Sequence, residues 1–270
     1  SIATAISLWI YDEVTFNKHH KNYNRIAQVM QNLTLNGKVN TQDYNPIVLT
    51  KALRNEYRND FKQVLTSSSY TLSLQYNEKV LNTDGAFFDD GVADMLSLNM
   101  LKGSGGNLKE QSVILLSATA ANKFFGNEDP MGKLMMIDNK TSVKVAGVYE
   151  DLPQNSTFGN LKFILPWTLF LSINTGLSQD DWGGNMFQTY VQLTDNANLQ
   201  QVSEKIKKIK FNNVDKEQQT KVNPEMWLHP MNKWHLYSEF KNGKSVGGRI
   251  TYVWLFGITG LFVLLLACIN

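Results

Sequence analysis

SVILLSATAANKFFGNEDPMGKLMMIDNKTSVKVAGVYEDLPQNSTF, residues 112–158, sets out a strand, a helix and a hairpin in that order. Val113–Leu116 is an apolar run too short for a helix and suited to a strand. Ser117 is placed to cap a helix behind it, because its hydroxyl can accept a bond from an otherwise unpaired amide of the next turn. Ala118, Ala121, Phe124 and Phe125 recur at helical spacing, and Gly126 supplies a left-handed stop. Asp129-Pro130 and Gly132 turn the chain. Leu134–Ile137 and Val143–Val148 then form two β runs around Asp138-Asn139-Lys140, which reads as a hairpin. The unit closes in the proline loop Asp151–Ser156. Its glycines are not spaced as a phosphate loop and no nucleophile sits beside a base, so the residues describe a compact α+β module without catalytic grammar.

The wording of this stretch nonetheless resembles a known family. FFGNEDPMGKLMMIDNK followed by VKVAGVYEDLPQNS is similar to the signature of the MacB-like periplasmic core domain, found in ABC-transporter permeases of the MacB/FtsX/LolE type. YDEVTFNKHHKNYNRIAQV (Tyr11–Val29) and FFDDGVADMLSLNMLKGSG (Phe87–Gly105) extend the resemblance over nearly the whole chain, in the family's order.

Composition fits a body with a real core. The chain has 270 residues, 43% hydrophobic and 19% charged, enough for one large or two small domains. A net charge of +2 argues against nucleic acid as a partner, since such proteins carry a basic stripe. The single cysteine, Cys268, allows no intrachain disulfide.

Both ends point to a membrane. Ile250–Ile269 carries no charge and has the roughly 20 apolar residues that a helix needs to cross a bilayer. The N-terminal SIATAISLWIY is apolar as well, covers about half a crossing, and lacks the charged start and cleavage site of a signal peptide. The chain therefore reads as a piece of a longer membrane protein, with residues 1–16 ending one membrane helix and 249–270 beginning another. Trp9 and Tyr11 close the first apolar piece, and Tyr252 and Trp254 open the second. These aromatics are expected at one membrane interface, so the body between them leaves and re-enters on the same side. Lys18, Lys21, Lys241, Lys244 and Arg249 flank the membrane on that side, which would favour the cytoplasm, but this tendency is weak for long translocated domains. The resemblance implies the periplasmic face of a bacterial inner membrane.

Along the body, Ile26–Leu35 reads as a strand ending in the turn Asn36-Gly37. Asn45-Pro46 opens a helix with a buried stripe of Val48, Leu49, Ala52, Leu53 and Tyr57. Gln63–Ser67, Tyr70–Tyr76 and Lys79–Leu81 read as separate strands, and Asp89-Asp90 as a helix start. Gln188–Leu193 alternates as a half-buried strand. Asn198 then precedes an amphipathic helix whose Leu199, Val202, Ile206 and Ile209 face inward, with Glu204, Lys205, Lys207, Lys208 and Lys210 on a solvated face. The two strand–helix pairs echo each other, which suggests one subdomain built from two βα units with Gln111–Gly183 inserted between them. The resemblance implies the same plan: a Porter-like subdomain (17–110 and 184–240) and an inserted Sabre-like subdomain (111–183). Tyr44, Phe87, Trp167, Trp182 and Phe187 are the aromatics placed to line a cleft between them.

Chemistry finds little footing. His19, His20, His229 and His235 lack metal-ligand spacing, and no G-x-S-x-G elbow, Walker loop or G-x-G-x-x-G is present, so no cofactor is called for. The resemblance implies a permease domain that couples ATP-driven helix motion to movement of a peptide, antibiotic or lipoprotein. Its partners would be an ABC ATPase subunit on another chain, a second or homologous permease copy, the lipid bilayer, and a periplasmic adaptor or outer-membrane protein. A ligand-sensing domain between two membrane helices has the same topology and stands as the alternative; a membrane-anchored hydrolase ranks third for want of a catalytic constellation.

Overall fold

The computed structural model describes residues 2–269. Helix α1 (Ile2–Val14) leads through turns into β1 (Ile26–Leu35), which folds back into β2 (Lys38–Gln42) over Asn36 and Gly37, both at positive φ. Helix α2 (Val48–Glu56) precedes the long strand β3 (Phe61–Tyr76) and its hairpin partner β4 (Lys79–Phe88). A short α3 (Val92–Met95) and edge strand β5 (Met100–Gly103) come next. Residues 112–158 supply β6 (Val113–Ser117), α4 (Ala118–Phe125), β7 (Leu134–Ile137) and β8 (Thr141–Tyr149), close to expectation. Then come β9 (Phe163–Pro166), α5 (Trp167–Ile173), β10 (Gln188–Leu193), α6 (Leu199–Ile206), α7 (Ile209–Asn213), α8 (Lys216–Val222) and β11 (Glu225–Pro230). The hairpin of β12 (Glu239–Lys241) and β13 (Lys244–Gly247) brings the chain to α9 (Ile250–Ile269).

One sheet runs through the body in the order β11-β1-β10-β3-β4-β9-β6-β8-β5. In its first part, β1-α2-β3 and β10-α6-β11 interleave as a split β-α-β arrangement, with helices on one face. That face buries Ala27, Val29, Leu49, Leu53, Val191, Val202, Ile206 and Leu228. In the second part β7 pairs with both β3 and β8, so β3, β4, β9, β6, β8 and β7 close into a ring. Each of those strands has a neighbour on both sides for at least part of its length. Successive residues of β6 serve two cores: Ile114 and Leu116 face one, and Val113 and Leu115 the other.

Strand β3 belongs to both parts. Residues 61–67 pair with β10, and from Ser67 to Tyr76 the strand pairs with β4. It is one strand where the sequence suggested two. Strand β4 likewise extends to Phe88, whereas the sequence suggested a run ending at Leu81.

Three local expectations are corrected. Asn45 does not cap α2, which starts after Ile47. It is instead fully buried and donates its amide to the Val29 carbonyl at 2.8 Å. Asp89 does not start a helix either: it accepts the Thr66 amide at 2.7 Å and pairs with Arg54 at 2.9 Å, tying α2 to the sheet. Strand β10 is buried on both faces, because Tyr190 packs against Phe88, Phe158 and Trp234 on the side away from the helices.

Candidate functional site: the junction of body and apolar helices

Helix α9 is, among the described residues, the one helix long and apolar enough to cross a membrane, and most of it is exposed. It packs beside α1. At Gly260 an added Cβ would lie 3.2 Å from Ile6 Cγ2, close enough that the isoleucine would have to give by a few tenths of an ångström, and Trp9 sits edge-on to Phe256 with centroids 5.0 Å apart. Tyr11, Tyr252 and Trp254 are exposed.

The body grips both helices where they begin and end. Glu13, in the last turn of α1, is only 7% exposed. A carboxylate so buried needs partners. It accepts from His235 Nε2 at 2.7 Å, and Arg249 Nη1, one residue before α9, lies 3.5 Å away. The His235 ring stacks flat on Phe16 at 3.8 Å. The start of α9, the end of α1 and the segment after β11 therefore meet on one carboxylate.

A second grip lies four residues further on. Asn17 is fully buried with φ +65°, a conformation asparagine tolerates better than other non-glycine residues. Its amide donates to the Asn155 carbonyl at 2.9 Å. Its side chain donates to Thr157 Oγ1 at 2.9 Å and accepts the Thr157 amide at 2.8 Å. His20, 2% exposed, reaches the Leu96 carbonyl through Nδ1 at 2.7 Å and lies 3.5 Å from Ser156 Oγ through Nε2. Burial lowers its pKa to about 4, so the ring is neutral at physiological pH.

The segment that receives Asn17 continues the proline loop Asp151–Ser156, whose other end is equally fixed. Asp151 accepts the Thr119 amide at the start of α4 at 2.7 Å and the Lys162 ammonium at 2.7 Å. Burial pushes the Asp151 pKa up, but the bonds from Lys162, Thr119 and Ser117 outweigh it and hold the carboxyl below its ordinary value. Ser117 caps α4 as expected, accepting the Ala120 amide at 3.2 Å. Beneath the loop, Phe158, Tyr190 and Trp234 pack with centroids 5.6–6.3 Å apart, and Trp234 Nε1 donates to the His229 carbonyl at 2.7 Å. The EDLPQNS wording thus acts as a strap from the α4 end of the sheet to the first residues after α1.

The polar side chains of this junction are taken up by contacts with one another and with the backbone. Ser156 and His20 have the composition of a nucleophile and its base, but both are buried and Ser156 Oγ already accepts the Phe158 amide. Among the described residues no group of three or more His, Cys, Asp or Glu could hold a metal. Of the aromatics expected around a cleft, Phe87, Trp167 and Phe187 come together with Phe170 in one buried cluster. Tyr44 is 48% exposed and Trp182 packs against the other core, on the helix side of the sheet. Glu13, Asn17, Asn155, Thr157, His235 and Arg249 were not singled out by sequence reasoning as a group. Asn17 and Asn155 lie inside the family-like motifs, in stretches so polar that nothing in the sequence marks either as buried.

The profile of the MacB-like periplasmic core domain matches residues 1–209. Among solved structures, a domain assigned to a permease protein of Porphyromonas gingivalis superposes with a TM-score of 0.67 at 19% identity, covering 78% of this chain and 91% of that one. The periplasmic region of MacB from Actinobacillus actinomycetemcomitans gives 0.55 at 16%, covering 76% and 90%. The extracellular domain of the noncanonic ABC-type transporter YknZ from Gram-positive bacteria gives 0.51 at 15%, covering 76% and 99%. No curated protein matches the chain.

Proposed function

The chain belongs to the family of MacB-like periplasmic core domains, and from that premise we propose that it couples ATP-driven motion of a permease's membrane helices to export or extraction of a substrate. The observation that carries this reading is the double grip: Glu13 with His235 and Arg249, and Asn17 with Asn155 and Thr157. A continuous sheet held at both membrane helices by buried polar contacts turns when they turn, as a lever does. On this reading Trp9, Tyr11, Tyr252 and Trp254 anchor the helix pair at the periplasmic interface of a bacterial inner membrane. Residues 17–110 with 184–240 form the Porter-like part and residues 111–183 the Sabre-like part. The partners are an ABC ATPase on another chain and a second or homologous permease copy; a periplasmic adaptor or outer-membrane protein docks on the body. The cargo is of the peptide, antibiotic or lipoprotein class.

The test uses the full-length permease with its ATPase in nanodiscs, with Cys268→Ser and a spin label at Lys216→Cys on the exposed α8. Nucleotide is expected to shift the label-to-label distance between permease copies. Inserting a short Gly-Ser linker after Val14 in a Glu13→Ala background should reduce that shift while ATP hydrolysis persists. Distances that ignore nucleotide altogether would sink the lever reading.

A further inference from the structure

Beside the Phe16–His235 stack the structure holds a cleft of about 540 Å³, bounded by β1, the end of β2, the strap and the β12 hairpin. Its walls combine the aromatic surfaces of Phe16, Trp234 and Phe240 with neutral amide and hydroxyl groups such as Gln28, Gln42 and Thr157. Asp43 is the single carboxylate in the lining, and neither lysine nor arginine contributes. Gln28 donates to Asp43 Oδ2 at 3.1 Å, which leaves Gln28 Oε1 and Asp43 Oδ1 without a partner among the described residues. His229, also in the wall and 4% exposed, has an Nε2 with no hydrogen-bond partner there either.

We propose that this cleft is a binding site for a neutral saccharide of one or two rings. With neither lysine nor arginine in the walls, and with His235 already engaged by Glu13, nothing is left over to neutralise a phosphate or sulfate. One carboxylate is too few for a hard cation, which takes six or more oxygens. The density of amides and hydroxyls does not suit an acyl chain, which would leave them unpaired. A sugar ring matches both kinds of wall: its C–H face lies on aromatic rings, and its hydroxyls donate to Asp43 and Gln28 while accepting from amides. Because Phe16 and His235 form one rim and His235 also holds Glu13, an occupant touches the grip on α1 directly. The sugar can arrive free in solution or as the headgroup of a glycolipid in the adjacent membrane.

The full chain in phosphatidylcholine nanodiscs, prepared without glycoside detergents, is probed by saturation-transfer NMR with maltose and with N,N′-diacetylchitobiose. A parallel set of nanodiscs carries glucosyl diacylglycerol, and its thermal stability is compared with that of the plain discs. Saturation concentrated on ring C–H protons is expected, with affinity falling at least about tenfold in Asp43→Asn and in Phe240→Ala. Gln28→Ala replaces either variant if it fails to fold. Stabilisation by the glycolipid with no response to the free sugars assigns the source to the membrane and supports the site. Silence in both arms overturns the proposal, as does binding undiminished in the variants. The readout is binding alone, so failure of the transport reading leaves this result standing.

Discussion

Lys210 is 3% exposed, and its ammonium donates to Gln31 Oε1 at 2.9 Å and to Asn185 Oδ1 at 2.5 Å. Neither partner carries charge, so burial dominates and lowers the pKa to about 8, with Asp181 pulling weakly the other way. Below pH 8 the folded state bears the whole cost of keeping this amine charged. Between about 8 and 10.5 the unfolded chain holds the proton more tightly than the folded one, so stability rises with pH across that window. Denaturant titrations at about pH 7.5 and 9.5 should show the wild type gaining about 2 kcal/mol relative to Lys210→Met; parallel pH dependences in the two proteins would refute it. The sequence pointed this lysine at water for a definite reason. A helix carried unbroken from Leu199 through Ile209 sets Lys210 outside, but the chain breaks at Lys207 and Lys208 and restarts at Ile209, which resets the phase. Periodicity reads faces well within one element and loses them across such a break.

Gly85 shows how a single strand contact closes the ring. Strand β4 pairs in parallel with β9, Gly85 opposite Phe163, and a Cβ there would lie 2.5 Å from the Phe163 ring and from its carbonyl oxygen. The ring could rotate, but the carbonyl is part of the sheet backbone. Gly85→Ala is therefore expected to cost about 3 kcal/mol. Gly176→Ala, where nothing lies within 4 Å, should stay within about 0.5 kcal/mol of wild type. Urea midpoints with unchanged m-values decide between them, and equal midpoints would contradict the close approach. This closure was not legible in the sequence, because it depends on β7 pairing with β3 across some sixty residues. The local unit was legible: Ser117, Gly126 and the Asp138-Asn139 turn hold the conformations their chemistry dictates, Asp138 and Asn139 both at positive φ. Ser68 and Ser69 misled in the opposite direction. They separate the two strands expected at Gln63–Ser67 and Tyr70–Tyr76, yet they pair with Phe87 and Ala86 in mid-strand, since cross-strand pairing outweighs weak β propensity.

For the whole molecule, a lever requires that the body not bend where its parts meet, and β3 is where they meet. Its first half lies in the split β-α-β part, its second half in the ring, and the strand passes from one to the other at Ser67, which is 1% exposed. Cores lie on both faces at this point: Leu65 joins Phe88 and Tyr190 on one, and Val64 joins Leu53 and Val191 on the other. Opening the strand there would expose both cores together, so its amides should open only with the body as a whole. The junction is different in kind. It is held by a few polar contacts, and Glu13 supports two of them. Hydrogen exchange on the full-length protein should show slow, uniform protection through the middle of β3. Glu13→Ala should speed exchange in residues 15–25 and 235–249 and leave β3 unchanged. Fast exchange at residues 67–69 in the wild type would place a hinge inside the body and remove the lever. Acceleration of β3 in Glu13→Ala would mean that the junction and the sheet form one cooperative unit, with the motion lying within the membrane helices themselves.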